Sequence, residues 1–325
     1  MNISLKGIDI VKLVMSFAVI AIHAPEYLWA DDRIWPELFE WFIRLAVPFF
    51  FITSGYLIEL KLESKTTLEQ KAYLHKRGCR IFKLWIYWSL IYLPLSVWGC
   101  WHDHNTVVQK IMMYFEDLFL CGHSLYAQPL WFLYSMAIII MIWMNLNNKK
   151  HLISLFIVFA VIQCLSYYGV FKFSNLLTKI SIWVLGGGLP MIGGALIRNL
   201  IRHFKIKSHL MFYMALMLII MSVVMYYFSL PFWTFFGGTS LFLFALIFHP
   251  LFDLDYSAIH QCSMWIYYIH MYIIMIAMVV SRYFDLTFNR WFMLFVICCV
   301  TWIVAKILTT AGRYSSVSFI TQLVK

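Results

Sequence analysis

The chain has 325 residues, 63% of them hydrophobic and 12% charged, with mean hydropathy +0.80 and a formal net charge of +10. A soluble domain is roughly 45–50% apolar and about 25% charged, so this composition excludes the ordinary soluble class. The positive balance does not point to nucleic acid. The basic residues fall in short clusters between apolar runs, the pattern of loops in membrane proteins.

The first apolar segment carries Lys12 and His23 and ends in Pro25-Glu26-Tyr27 without a small-residue cleavage site. It reads as a retained helix and not as a signal peptide. Ten segments in all are long and apolar enough to be expected as spans: 8–29, 38–60, 81–100, 126–146, 151–170, 180–198, 209–228, 231–249, 262–281 and 290–310. The stretch from Asn105 to Gly122 is too polar to span and reads as an interfacial helix on the external face. With the N-terminus inside, 18 Lys and Arg fall on the cytoplasmic side and 7 outside, which puts both termini in the cytoplasm. The expected architecture is therefore an all-α polytopic membrane protein of about ten transmembrane helices, a single membrane domain over 1–325. No repeat of solenoid or inverted-transporter type is visible.

Seven cysteines include no CxxC pair, and no metal cage is legible. Cys100 and Cys121 fall near one expected external loop, where a disulfide is allowed but unforced.

Ionisable groups inside a span are costly, so each is a functional candidate. Lys12 and His23 lie eleven residues apart, close to three full turns, so they share a helix face with roughly 16 Å between them. Asp9, one turn before Lys12, is placed to pair with it. The plainer reading has Lys12 snorkelling to headgroups and His23 donating to a neighbouring carbonyl. The second span opens Arg44-Leu45-Ala46-Val47-Pro48 and runs through three Phe into Thr53-Ser54-Gly55-Tyr56. Pro48 suggests a kink and Gly55 a close neighbour, while Arg44 alone reads equally as an interface anchor. Gln128 to Tyr134, with Trp131, fits an aromatic belt or a site. In the ninth span, Ser263 and Tyr267 share a face with His270. The runs Gly186-Gly187-Gly188 and Gly193-Gly194 read as helix–helix contacts, since no phosphate-loop Lys follows.

Together these patches resemble the acyltransferase-3 family of bacterial membrane O-acyltransferases. That family opens with Arg, ten residues, then His, and Lys12 and His23 stand at that spacing after Asp9. Its second helix carries Arg-x-x-Val-Pro-Phe-Phe-Phe-x-x-Ser-Gly-Tyr, matched by Arg44 to Tyr56. A His-Leu-Trp-Phe-Leu patch corresponds to Pro129 to Leu133, and Ser-x-x-Ile-Tyr-x-x-His to Ser263 to His270. Two departures stand out. Lys12 replaces the Arg, keeping charge but losing the planar fork. Pro129 replaces a His, whose role is absent or passes to Gln128 or His123.

The resemblance implies acyl transfer, usually of acetyl, from cytoplasmic acetyl-CoA to a hydroxyl of an envelope or surface glycan, in a multi-pass protein of the bacterial cell (inner) membrane and without a metal. Lys12, with Asp9, would bind the donor. His23 would act as a base or as a covalent acyl relay, with Glu26 and Arg44 as further catalytic groups. Ser54, Tyr56, Trp131, Ser263, Tyr267 and His270 would line the substrate or support those groups. The acceptor would approach as a lipid-linked or membrane-proximal glycan, among membrane lipids. The alternative is a transporter or flippase for a glycan or a small molecule such as an amino acid, since relatives form the membrane half of serine racemases. A scaffold for other envelope enzymes is the third reading.

Overall fold

The computed structural model describes residues 5–29, 35–101, 106–124, 126–146, 149–250, 254–285 and 289–312. Every regular element among them is helical. In chain order these are α1 (Lys6–Trp29), α2 (Glu37–Ile43), α3 (Ala46–Leu62), α4 (Thr67–Trp101), α5 (Val107–Leu120), α6 (Trp131–Asn145) and α7 (Lys149–Tyr167), then α8 (Asn175–Lys179), α9 (Gly188–Phe204), α10 (Ser208–Tyr227), α11 (Trp233–Ile247), α12 (Tyr256–Tyr283) and α13 (Arg290–Ala311).

Among the described residues, eight helical stretches are long and apolar enough to cross a membrane: Lys6–Pro25, Glu37–Leu62, Thr67–Trp98, Gln128–Asn145, Asn175–Phe204, Ser208–Tyr227, Tyr256–Tyr283 and Arg290–Ala311. The two remaining expected spans are helical but shorter, at His151–Tyr167 and Trp233–Ile247. Their ends are set by backbone that cannot continue a helix. Gly169, at φ 72°, closes off α7, and Ser229, Pro231 and Phe232, two of them with positive φ, precede α11. His249-Pro250 follows α11.

Hydropathy also understated some helices. α4 begins at Thr67, well before the apolar run, because Thr66 and Glu69 form a capping box. The Glu69 carboxylate accepts from the Thr66 N–H at 2.7 Å, and the Thr66 hydroxyl accepts from the Glu69 N–H at 3.5 Å. The kink expected at Pro48 is instead a break. The chain turns at Arg44-Leu45, and Pro48 falls in the first turn of α3, where its missing N–H costs nothing. The polar stretch before Gly122 does form a helix, α5, opened by a Thr106–Gln109 capping box. Most of its exposed residues are apolar, among them Val107, Val108, Ile111, Met112, Phe115 and Phe119. The pairing considered for Cys100 and Cys121 falls on a Cys100 side chain outside the described residues.

The chain divides into two compact units, one of Met1–Val47 with Leu241–Lys325 and one of Pro48–Ser240. In the first, α1 packs along α12, which also carries α13. In the second, α4 packs on α6, and α7 on α9. Close backbone approaches in the second unit account for Gly55 and Gly194. A Cβ on Gly55 would fall 1.8 Å from the Met191 carbonyl oxygen, and one on Gly194 2.0 Å from that of Ile52. The Gly193-Gly194 run is thus a helix–helix contact, as is Gly188, which lies against the Phe159 ring of α7.

Candidate functional site

Two of the expected polar groups on α1, Asp9 and His23, fall at seven-residue intervals with Ser16 between them. Seven residues are close to two turns, about 10 Å of rise, so all three point the same way. The face they occupy is the one α12 covers. Asp9 Oδ1 lies 3.3 Å from His260 Nδ1. The Ser16 hydroxyl shares its hydrogen between the Lys12 carbonyl at 2.8 Å and the Ser263 carbonyl of α12 at 3.2 Å. His23 stacks on His270, with ring centroids 5.5 Å apart and planes 29° from parallel. The partners rise in the same order along both helices, so α1 and α12 run parallel, and the polar pairs form a ladder through the first unit.

At one end of the ladder, Asp9 holds Lys12 as well as His260, with Lys12 Nζ 3.6 Å from the same carboxylate oxygen. The Lys12 and Asp9 side chains are only 13% and 20% exposed. That is too buried for a bland surface pair and too open for a sealed one. Lys6, one turn earlier, lies over the Tyr256 ring at 5.0 Å. This end therefore carries two ammonium groups, Lys12 on the Asp9 carboxylate and Lys6 on the Tyr256 ring.

At the other end, His270 is fully buried. Its Nδ1 lies 2.8 Å from the Tyr267 carbonyl oxygen and 3.1 Å from that of Ile266. A carbonyl only accepts, so Nδ1 carries the hydrogen and Nε2 bears the lone pair. Among the described residues that Nε2 has no hydrogen-bond partner. Ser263, buried two turns before it, gives its hydroxyl to the His260 carbonyl. The Tyr267 ring lies 6.3 Å from that of His270. The Glu26 side chain lies outside the described residues.

Arg44 sits in the first unit at the C-terminal end of α2, 47% exposed, its guanidinium taken by Glu40 one turn back. The other expected residues belong to the second unit. There the Tyr56 hydroxyl accepts from Arg198 at 3.4 Å, and Arg198 grips Glu63 through two nitrogens, one of them at 2.8 Å. Arg202 Nη1 adds a longer contact to Glu63 at 3.8 Å. Ser54 is half-buried on α3. Trp131 meets Trp183 edge-on at 5.5 Å and Phe51 at 5.8 Å.

Trp183 lies in a π turn, Ile180–Val184, whose Val184 carbonyl is taken up by the Ser135 hydroxyl of α6 at 2.8 Å. His123, one candidate for the role vacated at Pro129, packs against the same Trp183 at 4.8 Å. Burial pushes its imidazole below the ordinary histidine value, so it stands neutral at neutral pH. Burial likewise lifts the nearby Cys121 thiol to about 11.

Sequence reading missed His260, Ser16 and the Arg198–Glu63 pair. The seven-residue spacing from Asp9 to His23 was the signal for Ser16. Glu63 and Arg198 are 135 positions apart, and nothing local marks them as partners. Among the described residues no group of three or more His, Cys, Asp or Glu is arranged to hold a metal ion.

Comparison with known proteins covers nearly the whole chain. The family described as acyltransferase domain, acyltransferase-3, matches residues 5–310. A serine/alanine racemase of Enterococcus gallinarum is 30% identical over 96 residues, which are 29% of this chain and 14% of that protein. An amino-acid racemase of Enterococcus faecalis is 25% identical over 199 residues, 57% of this chain and 26% of that protein. The matched stretches thus cover well under a third of either relative. No solved structure matches.

Proposed function

The chain belongs to the acyltransferase-3 family, and from that premise we propose that it is a membrane O-acyltransferase. It moves an acetyl or other short acyl group from cytoplasmic acetyl-CoA to a hydroxyl of an envelope glycan, in the bacterial inner membrane. The observation that carries this reading is the ladder between α1 and α12, with cations at one end and a pair of imidazoles at the other. Both ends are needed for such a reaction. A coenzyme A donor has phosphates to anchor and a thioester some distance away along its pantetheine arm.

In this reading all ten apolar segments cross the bilayer, with both termini cytoplasmic, in keeping with the distribution of Lys and Arg. The short α11 spans about 22 Å, which local thinning of the bilayer accommodates. Lys12 then lies at the cytoplasmic side. It binds donor phosphate by charge-assisted hydrogen bonds, in competition with Asp9. The thioester reaches His23, roughly 16 Å further along the helix. The acceptor hydroxyl loses its proton to an imidazole nitrogen as its oxygen bonds to the acyl carbon. The carbon–sulfur bond breaks, and the sulfur leaves as coenzyme A thiol after taking that proton. Whether His23 acts as that base or takes the acyl group itself, the carbonyl oxygen gains negative charge on the way. Arg44 is the cation assigned to it, released from Glu40 when substrate enters.

Lys12→Ala is expected to raise the acetyl-CoA concentration for half-maximal rate about tenfold, the equivalent of one lost charge-assisted contact, with little change in the rate at saturation. Steady-state kinetics on protein in lipid nanodiscs measures both. An unchanged donor dependence removes Lys12 from donor binding.

The competing reading is a carrier. The two relatives are named for amino-acid racemisation, which makes an amino acid the natural cargo in that case. Intramembrane His and Lys suit a transport path as well as a reaction. A carrier, however, consumes no thioester.

A further inference from the structure

His270 has more definite chemistry than a supporting residue needs. Two backbone carbonyls fix its hydrogen on Nδ1, which in the neutral ring leaves Nε2 as the lone-pair nitrogen. That nitrogen is buried and without a partner among the described residues. A buried acceptor left unsatisfied costs free energy, and such groups recur where a substrate is to supply the missing contact.

The second observation is the stack. The ring centroids of His23 and His270 are 5.5 Å apart and the planes nearly parallel. That separation is the contact distance of an offset stack, which leaves an edge of each ring beside the other. An acyl group on an imidazole nitrogen lies in the plane of the ring, because the amide-like bond is conjugated with it. A nucleophile must therefore approach the acyl carbon from the ring's face, at about 3 Å. The oxygen of an O–H donor sits about 2.8 Å from its acceptor. The Nε2 lone pair lies in the plane of its own ring, so an acceptor hydroxyl meets it at the edge of His270, beside the stacked His23.

We propose that the two histidines divide the reaction, His23 receiving the acyl group and His270 Nε2 taking the proton of the acceptor hydroxyl. The proposal rests on the acyl-transfer reading above. In the first half, a His23 nitrogen bonds to the thioester carbonyl carbon and the carbon–sulfur bond breaks. The thiolate leaves with the proton from the other His23 nitrogen, as free thiol. In the second half, the acceptor oxygen bonds to the acyl carbon while its proton passes to His270 Nε2. The carbon–nitrogen bond to His23 breaks, and that proton returns from His270 to His23. Both imidazoles end neutral, and the sum is thioester plus alcohol giving ester plus thiol.

The test is H270N in the full-length protein. The asparagine amide still donates to the Ile266 and Tyr267 carbonyls, so the helix keeps its contact, but nothing replaces Nε2. With labelled acetyl-CoA, wild type and H270N are both expected to release one thiol per protein and to carry the label on His23. Discharge of that label to water and to glycan from the same membranes should fall 10²-fold or more in H270N. Hydroxylamine, which attacks acyl-imidazole without needing a base, should discharge both proteins at similar rates. Three results overturn the assignment: discharge to hydroxyl acceptors at the wild-type rate, loss of the initial thiol release in H270N, or acyl transfer by wild type with no label on the protein. The last of these leaves acyl transfer standing by a direct route. Wild type that releases no thiol at all overturns acyl transfer itself, and the division of labour with it.

Discussion

H23A is expected to reach the membrane folded and to lose acyl transfer by about 10³-fold, the scale on which a base or nucleophile contributes. His23 is half-buried, and its neighbour on the stack, His270, is anchored by its own helix and not by His23. Removing the imidazole therefore empties a small space without taking away the partner's hydrogen bonds. The cavity costs some stability, of order 1–2 kcal/mol, and size-exclusion profiles should remain those of wild type. Activity within a fewfold of wild type, in protein of normal abundance, would remove His23 from the chemistry.

The largest effect on stability is expected at the crossing of α3 and α9. In G55A the new methyl would sit 1.8 Å from the Met191 carbonyl oxygen, and in G194A 2.0 Å from that of Ile52. An ordinary carbon–oxygen contact is about 3.3 Å or longer, so each substitution pushes the helices apart by more than 1 Å. The obstacle in both cases is backbone, which no rotamer change relieves. Because the two contacts are reciprocal, either substitution separates the same pair of helices, and overpacking of this kind costs about 3 kcal/mol. Thermal unfolding in detergent should show a lowered midpoint for each single variant. The double variant should lose less than the sum, since the first substitution already parts the helices. Wild-type midpoints would mean that the helices do not approach as described.

Much of this was visible in the sequence, for a physical reason. A bilayer demands long apolar helices, so composition alone gave the class, and every expected span meets a helix. What hydropathy cannot give is where a helix stops outside the apolar run. α4 extends to Thr67 because a capping box starts it there, and the Thr-x-x-Glu spacing was readable on its own. Pro48 illustrates the converse. The helix breaks at Arg44-Leu45, at the carbonyl four residues before Pro48, a stop inside the apolar run that hydropathy does not mark.

The candidate site was legible along one helix and much less so between helices. Lys12 and His23 on one face, and Ser263 with His270 on another, follow from spacing alone. That these two faces meet, in parallel and in register, is a tertiary fact. So is His260 beside Asp9, a residue with no distinguishing local pattern. Tyr56 shows the same limit from the other side. Its hydroxyl meets Arg198, 142 positions along the chain, a pairing that no spacing within α3 gives.

Release of free thiol from acetyl-CoA by the purified protein, with envelope glycan from the same membranes as acceptor, tests the central claim most directly. The account predicts catalytic thiol release that depends on His23, with label from the acetyl group recovered in the glycan. Intact acetyl-CoA after incubation with folded protein and glycan, and label absent from the glycan, would contradict it and leave the carrier reading in its place.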